Sequence, residues 1–213
     1  MKPISVFLSI LMTLGLGVFF LTNNVSIIAL SKSTYLKQVE NLNEEQFTNK
    51  DKEIIANYLW RTINFGGSNN TKGSEEGSYF FSSKDIAHLK DVSKIFKIVR
   101  IVCLVSLIVV ILLSIYFFKK KKNIAKFFLY SGLLIIIFGL IVAFTFDKSF
   151  LLFHIISFNN DLWLLDPETD LLINIFPEKF FLNSFILVVV LSIIELFVGF
   201  LIVSRVTHFR SPP

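Results

Sequence analysis

The sequence predicts a mainly α-helical membrane protein. It has four transmembrane helices, both termini cytoplasmic, a small extracytoplasmic cap between spans 1 and 2, and a second exported loop between spans 3 and 4. Three observations lead there. Of 213 residues, 54% are hydrophobic and 25 are phenylalanine, too apolar for a soluble domain of this size. Four stretches are long and uncharged enough to cross a hydrocarbon core, which takes about 20 apolar residues in a helix. They are Ile4 to Leu21, Ile101 to Phe118, Phe127 to Phe146 and Leu182 to Val203. Finally, Lys119, Lys120, Lys121, Lys122 and Lys126 crowd the link between the second and third runs with no acidic residue, and Arg205 and Arg210 follow the fourth. Basic residues next to short loops mark the cytoplasmic side.

The organisation follows. Residues 1–31 form span 1 and its exit, and 32–97 an extracytoplasmic cap with an interfacial helix at 84–97. Span 2 takes 98–118, the basic cytoplasmic loop 119–126 and span 3 127–146. An exported loop takes 147–181, span 4 182–203 and a cytoplasmic tail 204–213. Lys2 before an apolar run invites a cleaved signal peptide as the competing reading of the first stretch. A signal core spans only about 7 to 15 residues, whereas this run carries no charge from Pro3 to Ser31, so it reads as a span. The lone cysteine, Cys103, excludes an intramolecular disulfide and a cysteine metal cluster. A net charge of +5 does not indicate nucleic acid, because topology and anionic lipid account for the clustered lysines. Glu195, inside span 4, is costly there and should face a partner; it lies about 20 Å of helix from the exported end.

Within the cap, Thr34 to Val39 and Asn43 to Trp60 read as helices. The Gly- and Asn-rich stretch from Asn64 to Gly73 reads as a turn-rich loop, with Ile63, Phe65, Tyr79, Phe80 and Phe81 as a short hairpin around it. Ser82-Ser-Lys-Asp85 has the spacing of a helix start. Ile86, Leu89, Val92, Ile95, Phe96 and Val99 follow at helical intervals, an amphipathic helix leading into span 2.

Of three histidines, His88 and His154 both fall just outside the membrane on the exported side, and His208 falls inside. Imidazole is the side chain whose ordinary pKa lies nearest neutrality, so two at one interface make a candidate acid/base pair. Asp85 and Asp91 flank His88 at helical reach, where a carboxylate would orient the ring or raise its pKa. His154 has apolar neighbours that would keep it neutral, as a general base must be. Beyond it Asn159, Asn160, Asp161, Asp166, Glu168, Asp170 and Glu178 interleave with Phe158, Trp163, Phe176, Phe180 and Phe181. The aromatics are ordinary interface anchors, Asp166-Pro-Glu-Thr-Asp170 a turn and Pro177 a helix start.

Both histidines with Asp161, Asp166 or Asp170 could supply a zinc ligand set, although no paired-histidine helix motif is present. Ser82, Ser83 and Ser157 lie near the histidines without a nucleophile motif.

Two motifs then carry a family likeness. Asp85-Ile-Ala-His88-Leu-Lys-Asp91-Val precedes span 2. His154-x3-Phe158-x-Asn160-Asp161-x-Trp163-Leu-Leu-Asp166-Pro-x2-Asp170 precedes span 4, continuing through Ile173 and Pro177-Glu178 to Phe180-Phe181. Together they resemble the lipoprotein intramolecular transacylases, four-span membrane proteins of Gram-positive bacteria. The resemblance implies that the sn-2 acyl chain of a diacylglyceryl-cysteine lipoprotein moves to the α-amino group of the same cysteine, giving a lyso-form lipoprotein. It implies catalysis by His88 and His154, with Asp91, Asn160, Asp161 and Trp163 in support. No cofactor or metal is expected, and the partners are diacylglyceryl lipoproteins as substrate and membrane lipid. His154 is expected to take the amine proton and His88 to serve the oxygen side, beneath a water-excluding cap formed by residues 32–81. The competing readings are an interfacial metal- or serine-dependent lipid hydrolase and a non-catalytic membrane sensor or partner protein.

Overall fold

The computed structural model describes residues 3–66, 77–120 and 122–208, and every regular element in them is helical. The loop expected at 67–73, Lys121 and Arg210 lie outside the described residues. Four helices, α1 (Pro3–Leu30), α4 (Ser83–Lys119), α5 (Ala125–Phe144) and α8 (Glu178–His208), are long and apolar enough to cross a membrane. The shorter helices are α2 (Lys32–Val39), α3 (Asn49–Phe65), α6 (Phe146–Ser157) and α7 (Leu171–Ile175), with one 3-10 turn at Ser78–Phe80. The chain divides into two compact units.

The first unit, 1–25, 100–145 and 184–213, contains most of the apolar helix length. Met12, Leu16, Phe117, Phe127, Ile135 and Leu196 are among its buried core. Lipid is as apolar as these side chains, so close backbone approach and polar contacts must hold the helices together. Gly139 shows the first device: a Cβ there would come within 2.8 Å of a Val189 methyl, so a larger residue would have to push Val189 aside where α5 meets α8. Asn24 shows the second. Its buried amide donates to Ser192 at 3.0 Å and to Glu195 at 2.7 Å, giving the acid in α8 the partner its position demands. Ser131 likewise donates to the Thr13 carbonyl, joining α5 to α1.

The second unit, 26–99 and 146–183, packs Tyr35, Val39, Ile55, Leu59, Leu89 and Ile175 at its centre. Helix ends expose carbonyls that need donors, and here side chains supply them. Tyr35 Oη and Asn64 Nδ2 each donate to the Ala29 carbonyl at 2.8 Å, Trp60 Nε1 donates to Leu30 at 2.8 Å, and Thr34 Oγ1 donates to Ile28 at 3.0 Å.

Four expectations change. The second cap helix starts at Asn49, not Asn43, because Thr48 and Asp51 form a capping box: the Asp51 amide donates to Thr48 Oγ1 and the Thr48 amide to Asp51 Oδ2. The hairpin is absent. Ile63 and Phe65 close α3, which ends at Gly66 with φ of 77°, and Tyr79 and Phe80 form the 3-10 turn. The helix expected at 84–97 and span 2 are one uninterrupted helix, α4, with no break between amphipathic start and apolar run. The segment after span 3 also begins as a helix, α6, separated from α5 at Thr145.

Candidate active site

Every residue of the site lies in the second unit. His88 sits on the charged start of α4, ahead of the apolar run from Ile101. That start is fixed by a second capping box, in which the Asp85 amide donates to Ser82 Oγ at 2.9 Å and the Ser82 amide to Asp85 Oδ2 at 3.3 Å. His154 sits near the end of α6. The two rings stack, with centroids 6.4 Å apart and planes 27° from parallel. Phe158 closes against both, at 5.1 Å from His88 and 5.7 Å from His154. Trp163 lies at 5.0 Å from His154, and Phe150 at 4.4 Å.

The two imidazoles meet their surroundings differently. His154 Nδ1 is 2.7 Å from the Phe150 carbonyl, an oxygen that only accepts, so Nδ1 carries a proton and Nε2 is left with a lone pair in the neutral ring. His88 is buried, and its Nδ1 has no hydrogen-bond partner. A buried orphan acceptor is cheaper than a buried orphan N–H, so the neutral His88 ring holds its proton on Nε2. Burial first, then the charge of His154, lowers the His88 pKa to about 4, and the Asp91 carboxylate opposes this only partly.

This overturns part of the sequence reading. His88, not His154, is the more buried ring, and its pKa is lowered rather than raised. Neither flanking carboxylate hydrogen-bonds it. Asp85 is turned into the capping box and accepts the Leu171 amide at 3.0 Å, and burial raises its pKa. Asp91 accepts from Lys94 at 2.8 Å and from Asn160 Nδ2 at 3.0 Å. The Lys94 bond, opposed by partial burial and aided by Asn160, holds Asp91 below the usual carboxylate range. Asp161 is exposed, and its carboxylate makes no hydrogen bond to the described residues.

The sequence offers Asp170 as a turn residue, a candidate zinc ligand and a motif position, none of which foretells its hydrogen bonds. It is buried, accepts from Ser82 Oγ at 2.6 Å and from the Asp166 amide at 2.8 Å. Ser82, Ser83 and Ser157 make no hydrogen bond to either imidazole. Among the described residues no three His, Cys, Asp or Glu side chains gather in a set able to hold a metal ion. A cavity of about 330 Å³ in the first unit, lined by Thr13, Lys126 and Tyr130 among others, includes none of the candidate residues.

Four membrane-length helices and a histidine pair to which none of the candidate serines hydrogen-bonds among the described residues define a multi-pass membrane protein whose candidate chemistry is proton transfer. The family described as lipoprotein intramolecular transacylase Lit matches residues 10–181. The chain belongs to that family and is accordingly an acyltransferase, of a family that acts on lipoproteins. The fold agrees. It is similar to the in meso structure of the membrane integral lipoprotein intramolecular transacylase Lit from Bacillus cereus, with a TM-score of 0.75 and 22% identity, covering 98% of this chain and 100% of that one. Two structures of the Bacillus cereus protein with a single histidine substituted are also similar. The arginine variant has a TM-score of 0.70 at 22% identity over 96% of this chain and 94% of that one. The alanine variant has 0.66 at 23% identity over 95% and 91%. No curated sequence matches the chain.

Proposed function

We propose that this protein moves the sn-2 acyl chain of a diacylglyceryl-cysteine lipoprotein onto the α-amino group of the same cysteine, with His88 and His154 as its catalytic residues. The observation that carries the reading is the stacked pair of rings, whose contacts favour tautomers with a lone pair on His154 Nε2 and an N–H on His88 Nε2. The amine, with an ordinary pKa of about 8, reacts as the free base. As its nitrogen attacks the ester carbonyl carbon, His154 Nε2 takes the N–H proton. His88 donates its N–H to the oxygen that gains charge, as a neutral imidazole does when its pKa is depressed. The ester C–O bond then breaks and the proton held by His154 passes to the glycerol oxygen. Amine and ester become amide and hydroxyl with no net proton change, so no covalent enzyme intermediate is needed.

Because both reacting groups belong to one molecule, the main requirement is to fold the substrate into reach, an effect worth about 7 to 11 kcal/mol. The exposed apolar side chains of α6, Leu151, Leu152, Ile155 and Ile156, support a site at the membrane interface in contact with lipid. The basic loop on the opposite ends of spans 2 and 3 supports an extracytoplasmic position.

The test is mass spectrometry of the N-terminal peptide of a reporter lipoprotein with and without the protein. Wild type should move one acyl chain from glycerol to nitrogen. His88→Ala and His154→Ala should each lower the rate by roughly 100- to 10,000-fold. Full activity in both variants would favour a non-catalytic partner, and release of free fatty acid would favour a hydrolase.

A further inference from the structure

We infer that Asp170 is a positioning residue that sets the geometry of the histidine pair from the far end of the loop carrying Trp163. The inference rests on the catalytic reading of His88 and His154. The segment from Asn160 to Leu171 is tied to the first turns of α4 at both of its ends. At one end Asn160 Nδ2 donates to Asp91 Oδ2 at 3.0 Å. At the other, Ser82 Oγ donates to Asp170 Oδ1 at 2.6 Å and the Leu171 amide donates to Asp85 Oδ2 at 3.0 Å. His88 lies between Asp85 and Asp91 on the helix, and Trp163 lies between Asn160 and Asp170 on the segment. The Trp163 indole is the plane against His154, at 5.0 Å and 33°. The two ties thus link the helix bearing one imidazole to the aromatic surface that orients the other.

Asp170 is suited to this because both of its oxygens are occupied as acceptors. Oδ1 takes the Ser82 hydroxyl and Oδ2 takes the Asp166 amide, which also closes the Asp166-Pro-Glu-Thr-Asp170 turn. It is 4% exposed, so water does not replace either bond when one is lost. Asparagine at this position turns one acceptor into a donor: its Oδ1 can keep the Asp166 amide, but the Ser82 hydroxyl loses its acceptor and must turn to accept from Nδ2 instead.

The experiment compares Asp170→Ala and the nearly isosteric Asp170→Asn with wild type in a Trp60→Phe background. The chain has two tryptophans, so Trp163 is then its sole tryptophan and is read by excitation beyond the tyrosine band. Transfer kinetics on the reporter lipoprotein, Trp163 emission and thermal unfolding in detergent are measured together. A misplacement of about 1 Å can cost about 100-fold in rate. Asp170→Ala should therefore lower kcat by roughly 10- to 100-fold with KM within about twofold, and shift Trp163 emission. Asp170→Asn should fall between Ala and wild type in both readouts while melting near wild type. Unchanged kcat in both variants, or a loss of kcat that tracks melting with Trp163 emission unmoved, would overturn the inference. His88→Ala and His154→Ala run alongside: if they stay active the catalytic reading fails and takes this inference with it, whereas an inactive pair with unmoved emission in the Asp170 variants overturns the inference alone.

Discussion

His88 has a pKa of about 4 because burial and the nearby charge of His154 both penalise its protonated form. The ordinary value, reached when the chain unfolds, is 6.5. Between these two values the unfolded chain binds more protons than the folded one, so stability falls as pH falls through that window and the loss is complete below the folded value. The shift corresponds to about 3 kcal/mol between pH 7 and pH 4. For a protein of this size that is on the order of 5 to 10 °C in melting temperature. Thermal unfolding in detergent across this range should show the decline, and His88→Asn should show a visibly smaller one; parallel curves would mean that His88 is not buried neutral. The same property bears on the reaction. At neutral pH His88 is an uncharged N–H donor, and its ring signals in a histidine-selective NMR titration should stay at their neutral positions down to about pH 5.

The elements show which structural facts a local pattern can carry. α4 begins where Ser82-x-x-Asp85 says it should, because a capping box is written within four adjacent residues. The same box at Thr48 and Asp51 sets the start of α3, six residues after the Asn43 start that the sequence suggests. α6 falls in the stretch 147–181 expected as a loop: Asp147 and Lys148 end the apolar run, yet charge ends a span without ending a helix. That His88 and His154 lie close together is foreshadowed in the sequence because two short motifs each hold one ring. The contact of Asp170 is not, because its partner Ser82 is 88 residues away and only the folded unit brings them together. The capped end of α1 belongs with the illegible contacts. Asn64 is buried and donates to the carbonyls of Ala29 and Trp60, at 2.8 and 2.9 Å. Asn64→Leu keeps the volume and removes both bonds, while Tyr35 Oη still donates to the Ala29 carbonyl, so the cost is about 0.5 to 1.5 kcal/mol. The variant should melt several degrees lower while retaining its transfer rate well below the transition; an unchanged melting temperature would show that other donors suffice.

At the scale of the whole molecule, orientation decides whether the site can meet its substrate, and the chain carries opposing signals. Lys90, Lys94, Lys97 and Arg100 precede the apolar run of α4, while Lys119, Lys120, Lys121, Lys122 and Lys126 follow it. The first group shares its segment with Asp85 and Asp91 and belongs to the long stretch 32–97, and long stretches cross largely regardless of their charge. The second group sits in a short link with no acid at all, the setting in which basic residues do fix topology. Of 16 acidic residues, only Glu195 lies outside 32–97 and 147–181, so the two sides of the membrane would also differ strongly in field. The short link should win and put Lys50, near the start of α3, outside. In a Cys103→Ser background, which removes the one native cysteine, Lys50→Cys should react with a membrane-impermeant maleimide on intact cells. Lys120→Cys should react only after permeabilisation. Both positions are exposed, so protection reflects the membrane rather than packing. The reverse labelling pattern would put His88 and His154 on the cytoplasmic side, away from lipoproteins displayed on the outer leaflet, and would overturn the proposed placement of the site whatever the histidine variants do in the transfer assay.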